Sequence, residues 1–320
     1  MSPYVRRHLS LRDPTSRMLF ASLAVLLAAG PWLPSWALSL STIALGKGLV
    51  VLGLLLLMRT GLVSFGQGLY YCIGAYAAGV LAHQVKVTDG LVMLGAAALA
   101  SGLIAFVLGA LLAGYRAIFF AMLSLAFSMI LYGLLVKSSA LGSTDGFNVD
   151  ARTLAGLPYS GGASYALFAV ATMAAFISGW GLHGYNHSLA GRIAPAIRDN
   201  ELRVEYLGSS VRAVVHLNYV LAAVMSGIGG AIVALAVGHV DPEFAFWTTS
   251  GEFVFVAILA GTGSVAAPFL GSILFEAIRS FATQYSPNTW QMVLGVAMLA
   301  VIMFLPSGLW SLFQRRSERG

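Results

Sequence analysis

GRIAPAIRDNELRVEYLG, residues 191–208, is a polar island between long apolar runs. Arg192, Arg198 and Arg203 alternate with Asp199, Glu201 and Glu205, while Ile193, Ile197, Val204 and Leu207 supply an apolar side. That pattern predicts two short amphipathic helices. Asp199 or Asn200 is placed to cap the second, and Glu201 falls in its first turn, where the positive end of the helix dipole favours an acid. Gly208 is a natural stop after Leu207. Pro195 interrupts the first run and is most simply read as a first-turn residue, which starts that helix at Pro195. Helices of about two turns do not persist undocked, because nucleation is costly. The island is therefore either a segment resting on a bilayer surface or a soluble partner, or an ordinary connector.

The flanks decide the class. The chain is 58% hydrophobic and only 9% charged, with a mean hydropathy of +0.85, which cannot describe the surface of a soluble domain. An all-α integral membrane protein follows. Apolar runs lie at about 18–38, 40–58, 61–82, 90–113, 116–136, 163–183, 213–237, 252–268, 271–284 and 290–309, about ten spans. GTGSVAAPFLG (261–271) breaks the stretch 252–284 into pieces short for independent spans, so two full spans and a broken or re-entrant one both stay open. The first run is too long for a signal-peptide core and is followed at once by more membrane. The organisation is a cytoplasmic segment 1–17, a membrane domain 18–310 with a cytoplasmic loop 184–212, and a cytoplasmic tail 311–320.

Charge sets the orientation. With both termini in the cytoplasm, 13 of the 18 Lys and Arg fall on that side and only Lys86, Lys137 and Arg152 on the other. A pI near 9.6 therefore reflects loops at a membrane surface and not a nucleic-acid patch. The outer loops carry Asp89, Asp145, Asp150, Asp241 and Glu243, which suit docking of a soluble protein or are simply solvated. The single Cys72 lies in an apolar run and excludes a disulfide within the chain.

Inside the spans, small residues recur at helical spacing: Ser101, Ala105, Gly109 and Ala113; Gly66, Gly74 and Ala78; Ala222, Ser226, Gly230, Ala234 and Gly238. Such stripes let helix backbones approach in lipid. Polar groups are few. Ser64 and Gln67 lie three apart on the third span beside Gly66 and Gly68, and either line a pathway or bond neighbouring helices. Glu276 and Arg279 are spaced to form an ion pair on one helix face, and Lys47 is expected to snorkel to the outer interface. His183 and His187 read as loop-edge histidines without a third metal ligand. No phosphate-binding loop, metal-ligand cluster or catalytic serine motif occurs, so the chain is read as no enzyme and as binding no cofactor.

Four stretches resemble one family. GRIAPAIRDNELRVEYLGSSVRAVVHLNYVLAAVMSGIGGAI (191–232) is similar to the coupling loop and following helix of LivM-type permeases of branched-chain amino acid ABC importers. GLVSFGQGLYYCIGAYAAGVLA (61–82) resembles that family's Gly-Leu-x-Ser-x-Gly-His-Gly helix, GTGSVAAPFLGSILFEAI (261–278) its late Gly-x-Gly-Thr-x-x-Gly-Pro segment, and STDGF (143–147) a fourth motif. Gln67 stands where the family usually has His, and Ala260 and Ala267 stand for Gly. The resemblance implies an importer subunit in a bacterial inner membrane. It places Arg192, Ala196, Arg198, Glu201, Glu205 and Gly208 at the contact with ATPases, and Ser64, Gln67 and Gly68 beside the translocation path. It also implies two ATP-binding subunits carrying the ATP, a second homologous permease and a periplasmic binding protein. Branched-chain or other small amino acids fit as substrates; urea, amides or aromatic acids within the same importer class, and a self-sufficient secondary transporter or channel, are the alternatives.

Overall fold

The computed structural model describes residues 14–149, 151, 153–154, 156–158, 164–261, 263–285, 289–304 and 308–310. Residues 1–13 of the N-terminal segment, the tail 311–320, Asp150 and Arg152 lie outside the described residues. The helices are α1 (Pro14–Ala29), α2 (Ser35–Met58), α3 (Gln67–His83), α4 (Gly90–Leu112), α5 (Ala117–Lys137), α6 (Tyr165–Asn186), α7 (Leu189–Asp199), α8 (Glu201–Tyr206), α9 (Val211–Val237), α10 (Trp247–Ala260), α11 (Ala267–Tyr285) and α12 (Trp290–Phe304). Among the described residues, α2, α4, α5, α6 and α9 are long and apolar enough to cross a membrane.

Each expected apolar run coincides with a helix, but boundaries shift: the first helix ends at Ala29 and not near 38, and α2 begins at Ser35 after Pro34. The third starts at Gln67 and not at Gly61. Gly61 takes a positive φ of 79°, and the next amides turn to side chains: Phe65 N–H donates to Ser124 Oγ at 3.2 Å and Gly66 N–H to Ser64 Oγ at 3.2 Å. Ser64 therefore sits on non-helical chain before α3. The late break falls between α10, which runs from Trp247 to Ala260, and α11, which Pro268 helps to open instead of closing a span. A proline in a first helical turn loses no hydrogen bond, which explains its place.

The hub is α9, packed chiefly on α2, α3 and α4. The small-residue stripes meet there. A methyl group on Gly53 of α2 would lie 2.7 Å from the Ala222 carbonyl oxygen. One on Gly74 of α3 would strike the Gly227 backbone, and Ser101 of α4 packs on Gly227 from the other side. Hydrophobicity cannot drive helices together within lipid, so close backbone contact supplies the attraction.

Two ends of the bundle are distinct. At one, Arg116 Nε donates to Glu201 at 2.6 Å, Arg212 donates to the Ala110 carbonyl at 2.7 Å, and the Arg198 stem covers Gly61. This is the basic end. At the other, β1 (Phe147–Asn148) pairs antiparallel with β4 (His239–Val240), and β2 (Thr153–Leu154) with β3 (Leu157–Pro158). Asp89 accepts from Gly156 N–H at 2.8 Å there, and a turn at Pro242–Ala245 follows β4. Residues 84–89, 138–149, 153–154, 156–158 and 238–246 are thus knitted into one acidic end. Loops 59–66, 113–116 and 187–210 share the basic one, so consecutive long helices run in alternating directions.

Gly53→Leu should lower the melting temperature of the purified protein in detergent, because overpacking at backbone contact costs about 1–3 kcal/mol or more. Gly133→Ala, where a methyl group meets open space, should leave stability unchanged or raise it by about 0.5–1 kcal/mol.

Candidate functional site

At the basic end, α7 and α8 form an amphipathic pair. Ser188 caps α7, its Oγ accepting from Gly191 N–H at 3.3 Å, and Gly191 packs on the Tyr185 carbonyl so closely that no side chain would fit. That start precedes Pro195 by more than a turn. The helix therefore begins at Leu189, not at the expected Pro195, and the proline sits inside it at the loss of one backbone bond. Asn200 caps α8 as expected: its Oδ1 accepts from Arg203 N–H at 3.0 Å. Gly208 follows α8 with a φ of +82°.

Gly191, Ala194, Ile197 and Val204 are buried, the last two in a cluster with Leu57, Leu62, Val211 and Val215. Arg192, Ala196, Arg198 and Glu205 are exposed, and Glu201 is half-buried against Arg116. The outward face also carries apolar groups, with Leu202 66%, Tyr206 89% and Leu207 80% exposed. Covering one such side chain is worth roughly 1.5–3 kcal/mol. After Gly208 the chain enters α9 directly, capped by Ser210 Oγ on Ala213 N–H at 3.3 Å.

Behind α7 lies a cavity of about 550 Å³ between α2, α6, α7 and residues 263–265. Arg59, His183, His187 and Arg198 line it. His183 is buried, and its carbonyl lies 2.8 Å from His187 Nδ1. Burial holds the Arg59 guanidinium below its ordinary value. Among the described residues no group of three His, Cys, Asp or Glu side chains is disposed to hold a metal ion.

Ser64, Gln67 and Gly68 are brought together in a polar knot, fully buried within the chain. Ser226 of α9 donates to Gln67 Oε1 at 2.6 Å, Gly68 N–H donates to Ser250 of α10 at 3.0 Å, and Ser128 of α5 donates to the Ala245 carbonyl at 2.7 Å. Gln67 Nε2 has no hydrogen-bond partner. At this level α3 is tied to α9 and α10, and α5 to the turn at Pro242–Ala245, by polar groups that would be costly to leave unpaired in lipid.

Toward the acidic end, Glu276 and Arg279 join a four-charge cluster. Lys47 bonds Glu276 at 2.5 Å and lies 3.7 Å from Glu252, while Arg279 bonds Glu252 at 3.0 Å. Lys47 therefore does not snorkel; with its side chain only 12% exposed, it is held across helices. Glu276 and Arg279, expected as a pair along one helix, each make a bond across helices, to Lys47 and Glu252.

Residues 36–302 match the family described as the branched-chain amino acid transport system / permease component. The chain belongs to that family. This permease is 27% identical to the high-affinity branched-chain amino acid transport system permease protein LivM of Escherichia coli (strain K12), over 92% of its own length and 74% of the relative's. It is 26% identical, with the same coverage, to the protein of that name from Salmonella typhimurium (strain LT2). No solved structure matches it significantly.

Sequence reading missed Ser124, Ser226 and Ser250 as partners of the 61–68 segment, Ser128 as the tie to the 242–245 turn, and Glu252 and Lys47 as one cluster. Ser124 and Ser128, spaced one turn apart in the apolar α5, were the available signal.

Lys47→Met should cost this permease about 3–5 kcal/mol, the usual penalty for leaving a buried charge unpaired. Lys47→Met with Glu276→Leu should recover most of it. Thermal melts of the two variants and of Glu276→Leu check this; equal costs for single and double would show that the pair is not energetically linked.

Proposed function

We propose that this permease is the membrane-spanning subunit of an ATP-driven importer for branched-chain or other small amino acids, working by alternating access. Its family supports amino-acid transport. The observation that carries the coupling role is the α7–α8 pair: anchored by Ile197 and Val204, exposed through Arg198, Leu202, Tyr206 and Leu207, and continuous with the hub helix α9. In this reading two separate ATPase subunits hold ATP and grip that face through Arg192, Ala196, Arg198, Glu201, Glu205 and Gly208. When the nucleotide dimer closes, α7 and α8 move with it. Because α9 packs backbone to backbone on α2, α3 and α4, the push is delivered to the bundle as a rigid shift.

The remaining parts follow the same reading. Ten spans, of which α1, α3, α10 and α12 are short, put both termini and the basic end in the cytoplasm of a bacterial cell. A second homologous permease completes the pathway, and a periplasmic binding protein docks on the acidic end, where Asp145, Asp241 and Glu243 lie. Selection among amino acids, urea, amides and aromatic acids rests largely with that binding protein. The half-buried Lys47–Glu252–Glu276–Arg279 cluster favours a second reading, a secondary transporter. Uptake that needs ATPase subunits separates the two.

Arg198→Glu, or Leu202→Glu with Tyr206→Ala, should reduce ATP-driven leucine uptake at least tenfold and weaken co-purification of the ATPase subunits, without lowering the melting temperature. Full uptake and full co-purification in both variants would refute this docking face.

In a Cys72→Ser background, Ser209→Cys should react with a membrane-impermeant maleimide only from the cytoplasm and Ser143→Cys only from the periplasm. Labelling of both from one side would eliminate the ten-span topology.

A further inference from the structure

Between α2, α3, α9, α10 and α11, near the acidic end, lies a cavity of about 280 Å³. Lys47, Glu252, Glu276 and Arg279 line one part of its wall and Ile43, Val233, Val237 and Phe244 another. Asp241 and Glu243, from the turn after β4, line it as well. Small-molecule sites start near 300 Å³ and combine an apolar lining with a few convergent polar groups. This one is of the size for an amino acid and little more.

The four charges ask for an explanation that structure alone does not supply. Ion pairs inside a bilayer are costly to desolvate, and well-packed apolar residues of the same volume usually do as well or better for stability. Here two cations and two acids cancel one another, yet they face a cavity instead of closing it. Lys47 has three donors and is within hydrogen-bond distance of Glu276, with Glu252 farther away at 3.7 Å.

We propose that this chamber binds a zwitterionic amino acid with an aliphatic side chain, its carboxylate and ammonium exchanging into the Lys47–Glu276 and Arg279–Glu252 pairs. The proposal rests on the amino-acid transport reading and adds a recognition site within this chain. Exchange of a neutral zwitterion leaves the chamber's net charge unchanged. A ligand with only one charged group would leave one wall group unmatched. Asp241 and Glu243 add negative field, so a simple carboxylic acid is disfavoured most. The side chain lies along Ile43, Val233 and Phe244, where a branched aliphatic group fills apolar space and a second charged group does not fit.

Tritiated leucine binding to the full chain in nanodiscs, read by scintillation proximity, tests this. Saturable binding is expected, competed by isoleucine and valine but at least tenfold less well by 4-methylpentanoate, which lacks the ammonium, and by isopentylamine, which lacks the carboxylate. Lys47→Met with Glu276→Leu should weaken leucine at least tenfold. Ile43→Trp fills the apolar wall and leaves all four charges intact; it should give the same loss, and it decides the matter if the double variant does not fold. Absence of saturable binding, equal competition by the acid or the amine, or undiminished binding in Ile43→Trp would overturn the chamber. The two readings fail separately. Leucine binding without ATP-dependent uptake overturns the importer alone, and uptake that survives Ile43→Trp overturns the chamber alone.

Discussion

Backbone contact along α9 is the constraint on which the rest of the molecule depends. Within lipid the hydrophobic effect gives helices no reason to associate, so attraction has to come from dispersion at short range and from hydrogen bonds between spans. Gly53 against Ala222, Gly74 against Gly227 and Gly230 against the Tyr71 backbone bring α2 and α3 onto α9 at distances where any side chain would collide. Interfaces packed this tightly do not bend by degrees; they hold one arrangement or pass to another. A hub of that kind transmits displacement well, and its first residues follow directly from α8.

Polar groups are placed where that rigidity can use them. Ser124 and Ser64 accept from the Phe65 and Gly66 amides in the non-helical segment before α3, Ser250 accepts from Gly68 N–H in the first turn of α3, Ser226 donates to Gln67, and Ser128 donates to the Ala245 carbonyl. A non-helical stretch such as residues 62–66 can exist in a membrane protein only where protein covers it, and Ser64 and Leu62 are indeed buried. The charges are gathered in two places with opposite logic. Near the acidic end they neutralise one another inside the bundle. At the basic end they remain on the outward face of α7 and α8, alongside Leu202 and Tyr206.

What depends on local chemistry was legible in the sequence: the class and position of the helices, the Asn200 cap, the Gly208 stop and the small-residue stripes all follow from spacing within a few residues. What depends on distant partners was not. Residues 61–66 read as helix because they are apolar, but the Phe65 amide is claimed by Ser124, 59 residues away, and that of Gly66 by Ser64. Lys47 reads as a snorkelling residue because its partner Glu276 is 229 residues away. Pro195 reads as a helix start until Ser188 and the contact of Gly191 with the Tyr185 carbonyl are seen to begin the helix earlier.

The α7–α8 face and the charged chamber are joined by α9, and this bears on how the two proposed sites would communicate. At about 1.5 Å per residue, the 27 residues of α9 span ~40 Å, from the Ser210 cap beside α8 to Val233 and Val237 in the wall of the charged chamber. A helix locked to three neighbours cannot move at one end without moving at the other. In the proposed coupling, displacement of α7 and α8 carries α9 together with α2 and so shifts Val233, Val237 and Lys47 against Glu252 of α10 and Glu276 of α11. Conversely, a ligand that holds that wall resists the displacement, because coupling between two sites through one rigid element is reciprocal.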